Sequence, residues 1–380
     1  MAESVLPYFM TDTMDQWLQF LARQGVLPRT TLNSEPDEAG TGLETAAAET
    51  GAMPHADSSN ATGATLATDF FAPLTHLGLI AASGDEAAHF LHNQLTNDVE
   101  HLGPAEARLA GYCSPKGRLL ATLLIWKTPD SILLQVPQEI LAPLQKRLQM
   151  FVLRAKVKLT DASAQQAILG LVGERAAAVL GHWFPALPPA PYTLAHSGAG
   201  TLIRLADSND APRYQWLTSP ENAQQAWPRL AQSLTAAQAA AWRLSEIAAG
   251  VPQITLPTQE KFVPQMVNYE LIGGVNFKKG CYPGQEIVAR SQYLGKLKRR
   301  MLRASVASLD ARAGMEVFSS ADPGQPCGQI VNAERSTAQQ MECLVELKTA
   351  ALEQGSLHLG GASGAVLVPG TLPYPLPEPA

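Results

Sequence analysis

The sequence predicts an α+β fold made of two similar units, followed by a small β-barrel. Apolar strands are interleaved with amphipathic helices, and hairpin turns join some of the strands. The order strand, helix, strands, helix occurs in both 69–165 and 166–295, although the two units share no residue-level repeat. Short strands punctuated by glycine then run over 296–370, a pattern typical of a barrel.

The two ends of the chain differ in texture from these units. Residues 12–26 predict an amphipathic helix within an N-terminal helical segment, 1–32, because their apolar residues are spaced for one face. Residues 33–68 are rich in Ala, Gly, Ser, Thr and acidic residues and contain no aromatic residue, which predicts a disordered insertion. The proline-rich residues 371–380 predict an extended tail.

The first unit is predicted from its periodicity and its turns. A strand over 74–84 precedes a helix over 85–99, whose apolar residues form one stripe. Three strands follow, separated by Pro-Lys-Gly and Thr-Pro-Asp turns, at 107–115, 117–128 and 131–137. A helix over 137–154 and a strand over 155–163 complete the unit.

The second unit repeats this order with a strand over 166–173, a helix over 174–184, two strands and a helix over 221–234. A further helix over 235–250 carries Trp242 and ends at Gly250, with Pro252 beyond it.

Composition excludes several classes of function. The 380 residues are 46% hydrophobic with a net charge of −6, so no global field attracts nucleic acid or an anionic membrane. No apolar run is long enough to span a bilayer, and the N-terminus lacks the pattern of a signal peptide. We therefore expect a cytoplasmic protein. Its four cysteines form no C-x-x-C pair, and the histidines lack a third ligand, so we expect no metal site.

The most informative motif is Lys-Lys-Gly-Cys-Tyr-Pro-Gly-Gln-Glu at 278–286. Pro283 and Gly284 suit a type II turn, and a helix can begin directly after it. The lysines and the helix start would favour the thiolate form of Cys281. A lone cysteine is more often a small core residue, so both interpretations stay open on chemistry alone.

This motif resembles the K-G-C-Y-x-G-Q-E signature of the YgfZ family, which is related to the aminomethyltransferase (T-protein) of glycine cleavage. Leu-His-Asn-Gln-Leu-Thr-Asn-Asp-Val at 91–99 is similar to a second segment of that group, and Trp242 before Ala-Ala-Gly-Val-Pro is similar to a third. The similarity runs loosely from about residue 69 to residue 370.

The resemblance implies an aminomethyltransferase-like ring of α+β domains around a channel that binds tetrahydrofolate or a derivative. It also implies a role in assembling or repairing iron-sulfur enzymes, including those that modify tRNA. The implied partners are folate and iron-sulfur proteins or their assembly factors. From the composition we expect neither a membrane partner nor direct tRNA binding. The implied catalytic residues are Cys281 and Lys279. The implied cofactor-binding residues are Trp242, Asn97, Asp98, Tyr282, Gly280, Gly284, Gln285 and Glu286.

The sequence departs from the aminomethyltransferases where those enzymes carry carboxylates. Leu120 and Ala121 stand after the first hairpin, and neither can transfer a proton. Ala248 replaces a glutamate that binds the pterin, and Glu246 is expected to point elsewhere on its helix. These departures count against a folate-dependent aminomethyltransferase or demethylase, which is the alternative function. A non-enzymatic binding module is a third.

Two minor features each have two interpretations. The cations at 296–303 suit the glutamate tail of folate or tRNA phosphates, but such a run is more often a solvated strand edge. Asn97 and Asp98 either line the channel or only end the helix that precedes them.

Overall fold

The computed structural model describes residues 6–26, 69–293, 297–353 and 355–377, and every element below lies in these ranges. The predicted insertion, 33–68, lies outside them. The N-terminal helix, α1, spans Leu6–Arg23 and packs on the second unit, where the rings of Trp17 and Trp227 meet edge-on at 6.0 Å. No helix in the described ranges is both long and apolar enough to span a bilayer.

The first sheet has the strand order β3-β4-β5-β2-β6, and α2 and α3 pack on one of its faces. The apolar side chains of these two helices share one buried cluster with the sheet. In chain order the elements are β1 Phe70–Pro73, β2 Leu77–Ser83, α2 Ala87–His92, β3 Ala107–Cys113, β4 Leu119–Lys127, β5 Ile132–Pro137, α3 Gln138–Gln149 and β6 Lys158–Asp161.

The second sheet has the order β11-β1-β7-β10-β9-β8. Its elements are β7 Ala167–Val172, α4 Glu174–Leu180, β8 Leu194–Ser197, β9 Gly200–Ser208, β10 Ala211–Thr218, α5 Pro220–Ser233 and β11 Thr235–Ala236. Strand β1 lies in the range expected for the first unit, yet it pairs antiparallel with β7 of the second sheet.

The two sheets repeat one topology. In each, the second and third strands of the unit form an outer hairpin, and the fourth and then the first strand follow. Beyond the first strand, β6 ends the first sheet, whereas β1 lies between β7 and the edge strand β11 in the second. The fourth strands, β5 and β10, face each other, since the side-chain amides of Gln135 and Gln215 exchange hydrogen bonds across the gap. The repeat seen weakly in the sequence is therefore a repeat of topology.

Helix α2 is shorter than predicted, because the helix expected over 85–99 ends at His92. The chain then turns toward β3, where the Thr96 N–H donates to the Gly111 carbonyl over 2.9 Å. That sheet-like bond replaces further helical bonds. Leu95 and Val99, which follow His92, are still buried, although they lie in a segment that is not helical.

The third part of the chain begins with two helices, α6 Ala239–Ala248 and α7 Gln285–Tyr293. A closed barrel follows, in the order β12-β15-β14-β13-β16-β17, and pairing of β12 with β17 closes it. Its strands are β12 Arg299–Val306, β13 Glu316–Ser319, β14 Asp322–Arg335, β15 Met341–Lys348, β16 Leu357–Leu359 and β17 Val366–Gly370. The α+β class and the C-terminal barrel are therefore confirmed.

Candidate functional site

A polar cavity of about 50 Å³ lies between the two sheets, beside α6 and the segment that follows it. Both sheets contribute to its wall, so it occupies the centre of the paired units. Its lining residues are Leu109, Thr122, Leu123, Leu124, Gln135, Tyr192, Leu205, Arg213, Gln215, Glu246, Val251, Pro252, Gln253 and Tyr269.

The charged groups of this cavity are Arg213 and Glu246. Arg213 is 1% exposed, and its Nη1 donates to the Ala206 carbonyl over 3.3 Å. Its Nε and Nη2 have no hydrogen-bond partner among the described residues, and Nη2 lies 4.0 Å from the Glu246 carboxylate. Burial raises the pKa of Glu246, while Arg213 works in the opposite direction. A buried cation with two unused donors is costly, which makes the cavity receptive to a polar ligand.

Glu246 points elsewhere than Ala248, as expected from their spacing on α6, and it faces the central cavity. Trp242 and Glu246 are four residues apart on α6 and therefore lie on one face of the helix, and Glu246 lines the cavity. Ala248 lines the neighbouring cavity instead. Helix α6 therefore presents a carboxylate to the space between the sheets.

Trp242 itself lies beneath the cavity wall. The residue is completely buried, and the Arg213 guanidinium lies 4.3 Å from the ring centroid. The indole also packs tightly on Gly170 of β7, where a Cβ would lie 2.3 Å from its Cε3. Direct contact between this ring and a ligand would therefore require Arg213 to move.

Two further cavities adjoin the central one. One, of about 500 Å³, shares Tyr192 and Val251 with it and is covered by the C-terminal tail. There the Tyr374 hydroxyl donates to the Gly250 carbonyl over 2.8 Å. The other, of about 120 Å³, shares Glu246 and Val251 and opens toward the barrel. The three cavities therefore share parts of their walls.

The cysteine motif forms a second cluster, and none of its residues lines the central cavity. The structure contains the predicted turn, since the Gln285 N–H donates to the Tyr282 carbonyl over 3.1 Å and Gly284 has a φ of 79°. Helix α7 begins at Gln285, and Glu286 lies in its first turn. The turn docks on the β3–β4 hairpin, where a Cβ on Gly284 would lie 2.4 Å from the Ser114 oxygen.

Cys281 is exposed, whereas Cys113, Cys327 and Cys343 are buried. Burial raises the pKa of both Cys113 and Cys343 to about 12 and also raises that of Cys327. The accessible thiol of the described residues is therefore the one in the motif. Its exposure argues against the interpretation that the sulfur fills space in the core.

Lys279 attaches the motif to the end of α2. Its Nζ donates to the carbonyls of His92 and Leu95 and lies 4.8 Å from the centroid of the buried Tyr282 ring. Burial lowers the pKa of Lys279 to about 8, and Asp98 and Cys281 work in the opposite direction. This lysine is therefore positioned by backbone carbonyls beside the thiol.

Asn97 and Asp98 lie near the motif, outside the wall of the central cavity. The Asn97 amide donates to the carbonyls of Leu109 and Gly273 over 2.6 and 2.7 Å. The Asp98 carboxylate lies 3.1 Å from Nδ1 of His92 and 2.8 Å from Nδ1 of His101. Neither residue ends α2, which stops at His92.

The arginines that follow the motif are engaged within the protein. Arg299, Arg300 and Arg303 form ion pairs with glutamates 346, 270 and 342, whereas Lys296 lies outside the described residues. These pairs favour the structural interpretation of the basic run. In the described ranges no three His, Cys, Asp or Glu side chains are grouped so as to hold a metal ion.

Sequence reasoning missed most of the cavity wall. Arg213, Gln135 and Gln215 are buried polar residues in otherwise apolar strands, and that interruption was the available signal. The signal is weak on its own, because only the facing of β5 and β10 brings the two amides together.

Comparison with known proteins agrees with this architecture. The chain is 30% identical to the tRNA-modifying protein YgfZ of Edwardsiella ictaluri over 271 residues, which covers 69% of this chain and 81% of that protein. It is 31% identical to the protein of the same name from Colwellia psychrerythraea, over 63% of this chain and 72% of that one. No family model matches the chain.

The fold is similar to that of the glycine cleavage system aminomethyltransferase T from Bartonella henselae. The TM-score is 0.66 at 15% identity, and 82% of this chain and 87% of that chain are covered. This likeness confirms the predicted aminomethyltransferase-like fold, including the barrel at the C-terminal end. Together with the identity and coverage of the two relatives, it leads to one assignment: the chain belongs to the YgfZ family of tRNA-modifying proteins.

Proposed function

We propose that this protein binds tetrahydrofolate in the central channel and serves as an accessory factor in the assembly or repair of iron-sulfur enzymes, including tRNA-modifying ones. Cys281 is its functional thiol. The observation that carries the proposal is the buried Arg213–Glu246 pair, which presents unused donors and a carboxylate to a cavity between two sheets.

The residues present fit a folate. The edge of a pterin carries N–H donors and a carbonyl acceptor side by side, so a site for it needs an acceptor and a donor together. Glu246 and Arg213 supply this combination, and the amides of Gln135, Gln215 and Gln253 supply more of both kinds. Bound folate would supply one-carbon carrier chemistry.

The dimensions also bear on the fit. Ligand pockets are usually about 300–1,000 Å³, so the central cavity of about 50 Å³ is too small alone. The neighbouring cavity of about 500 Å³ under the tail can take the rest of the ligand. We infer that the ring system enters between the sheets as Arg213 and Glu246 separate, and that Trp242 supports Arg213 from below.

Equilibrium dialysis with tetrahydrofolate tests the binding step. Glu246→Gln keeps the size of the side chain but removes its charge, so we expect about a tenfold loss of affinity. Glu346→Gln is the matched control, because Glu346 is buried on β15 and paired with Arg299 of β12, and it does not line the cavity. Equal affinity in wild type and Glu246→Gln, or no binding in wild type, would contradict the proposal.

Complementation of a strain with defective iron-sulfur enzymes tests the thiol. Cys281→Ser should fold normally and bind tetrahydrofolate as wild type does, yet fail to restore enzyme activity. Cys327→Ser is the control, because that thiol is buried in the barrel. Full activity of Cys281→Ser would reduce the motif to a structural turn.

Folate-dependent aminomethyl transfer or demethylation remains the second candidate, because Glu246 returns a carboxylate to the channel. Burial raises the pKa of this group, as suits a proton-transferring residue. Leu120 and Ala121, however, are both buried and offer no second carboxylate. Formation of methylene-tetrahydrofolate from an aminomethyl donor, lost in Glu246→Gln, would favour this candidate.

A further inference from the structure

His92 ends α2 directly beneath the cysteine motif. The residue is 7% exposed, and its backbone carbonyl accepts a hydrogen bond from Lys279 Nζ. A Cβ on Gly280 would lie 3.5 Å from Nε2 of the imidazole. The ring therefore faces the residue that immediately precedes the exposed Cys281.

The neighbours of His92 determine its tautomer. Its Nδ1 lies 3.1 Å from the carboxylate of Asp98. Partial burial works to raise the pKa of Asp98, but hydrogen bonds from the backbone and side chain of His101 prevail and lower it. An ionised carboxylate only accepts hydrogen bonds, so Nδ1 carries the proton in neutral His92. Nε2 is then an unprotonated acceptor, and no group of the described residues donates a hydrogen bond to it.

We propose that Nε2 of His92 accepts the proton of the Cys281 thiol, directly or through one water, while Asp98 orients the imidazole. The S–H bond breaks, its electron pair stays on sulfur, and the new N–H bond leaves a thiolate beside an imidazolium. This deepens the proposed function, on which it rests only in that Cys281 is the functional thiol. His92 is the proton acceptor, and Asp98 is a positioning residue.

Charged groups act on both the imidazole and the thiol. The carboxylates of Asp98 and Glu100 lie 3.1 and 3.8 Å from Nδ1, and both stabilise the imidazolium. On the other side, the Lys279 ammonium is close enough to interact electrostatically with both Asp98 and the Cys281 sulfur, and it favours the thiolate. His89 and His101 bind the two carboxylates from the solvent side.

Alkylation by iodoacetamide reads this proton transfer without folate or an iron-sulfur client. The Cys281 sulfur attacks the carbon and iodide leaves, so the rate follows the thiolate fraction and access. Rates at Cys281 are measured by peptide mass spectrometry from pH 5.5 to 9.5 in the full chain. In His92→Gln the rate should fall about fivefold at pH 7 and approach that of wild type near pH 9.5. The half-point, which is the pH at which the rate reaches half its plateau, should rise by about one pH unit.

Two variants complete the experiment. Asp98→Asn should move the half-point in the same direction, because an amide can donate as well as accept and so does not fix the tautomer of His92. His89→Gln is the matched control on the same helix and should follow the wild-type profile. Continued protection of Cys113 from alkylation shows that each variant is folded. Profiles of wild type and His92→Gln that coincide, or that differ by one constant factor at every pH, would overturn the proposal.

The two proposals fail separately. If His92→Gln shifts the pH profile of Cys281 alkylation as expected, but Cys281→Ser complements as well as wild type, only the proposed function is refuted. If the profile of His92→Gln does not shift, but Cys281→Ser fails to complement, only the role of His92 is refuted.

Discussion

Replacement of Trp242 by alanine separates support of the cavity from stacking on a ligand. The side chain is completely buried between Gly170 and the Arg213 guanidinium. Truncation of a buried tryptophan costs about 3–5 kcal/mol of unfolding free energy, to which loss of the cation–π contact adds up to about 2 kcal/mol. For a cooperative unit of roughly 300 residues, 3–5 kcal/mol lowers Tm by about 5–8 °C.

The consequence for the ligand follows from Arg213. Without the ring beneath it, the guanidinium loses its position, so tetrahydrofolate affinity should fall about tenfold even in the folded variant. Trp216→Ala is the matched control, because Trp216 is equally buried on β10 but packs among Trp183 and Phe184 in a different cluster. It should lose similar stability and keep its affinity.

Differential scanning calorimetry gives the first quantity, and equilibrium dialysis well below Tm gives the second. A Tm within about 1 °C of wild type would contradict the burial of Trp242. Unchanged folate affinity in folded Trp242→Ala would mean that the ring supports the core alone. Equal losses of affinity in the Trp242 and Trp216 variants would indicate a general loosening of the sheets.

Three further outcomes are expected. Burial, aided by Arg243, lowers the pKa of His76 to about 3. Below pH 6.5 only the unfolded chain binds this proton, so the free energy of unfolding should fall, by about 2 kcal/mol at pH 5. His76→Gln should flatten this fall in urea titrations. Cys281 should react with iodoacetamide at least tenfold faster at pH 7 than the three buried cysteines, by peptide mass spectrometry. Truncation after Gly370 removes the tail bond to Gly250 and should speed tetrahydrofolate association in stopped-flow measurements.

Each of these outcomes has a contradicting result. A pH dependence equal in wild type and His76→Gln would mean that other groups cause the acid sensitivity. Comparable alkylation of Cys327 and Cys281 would mean that the barrel opens readily. Tyr374→Phe is the mild control for the truncation, since it removes only the hydroxyl. Association rates unchanged by both changes would show that the tail does not limit entry.

Local signals predicted much of the fold and of the motif. Periodicity found the main helices and strands, and Pro283 with Gly284 fixed both a turn and the start of α7 because those residues restrict their own backbone. The predicted helix over 85–99 was too long because Thr96 bonds to Gly111, a partner that no local pattern announces.

The composition of the cavity depends on contacts between distant residues. Gln135 and Gln215 meet across 80 positions of sequence, and Arg213 reaches Glu246 from a different element. Their burial in apolar strands marks them as unusual, but only the pairing of the two sheets makes them neighbours. The cavity that Glu246 faces could not be predicted for the same reason, since helical phase alone does not say which face meets the gap.

The cavity and the motif are separate clusters, but one segment of chain joins them. Tyr269 lies in the cavity wall, and its hydroxyl donates to the Ala110 carbonyl of β3 over 3.0 Å. Further along the same segment, the Gly274 carbonyl accepts a hydrogen bond from Thr96 Oγ1 over 2.6 Å, which ties the segment to the loop after α2. The chain then leads directly into the motif that rests on His92. Tyr269 of the cavity wall and Cys281 of the motif therefore belong to one continuous segment, which hydrogen bonds hold to β3 and to the loop after α2.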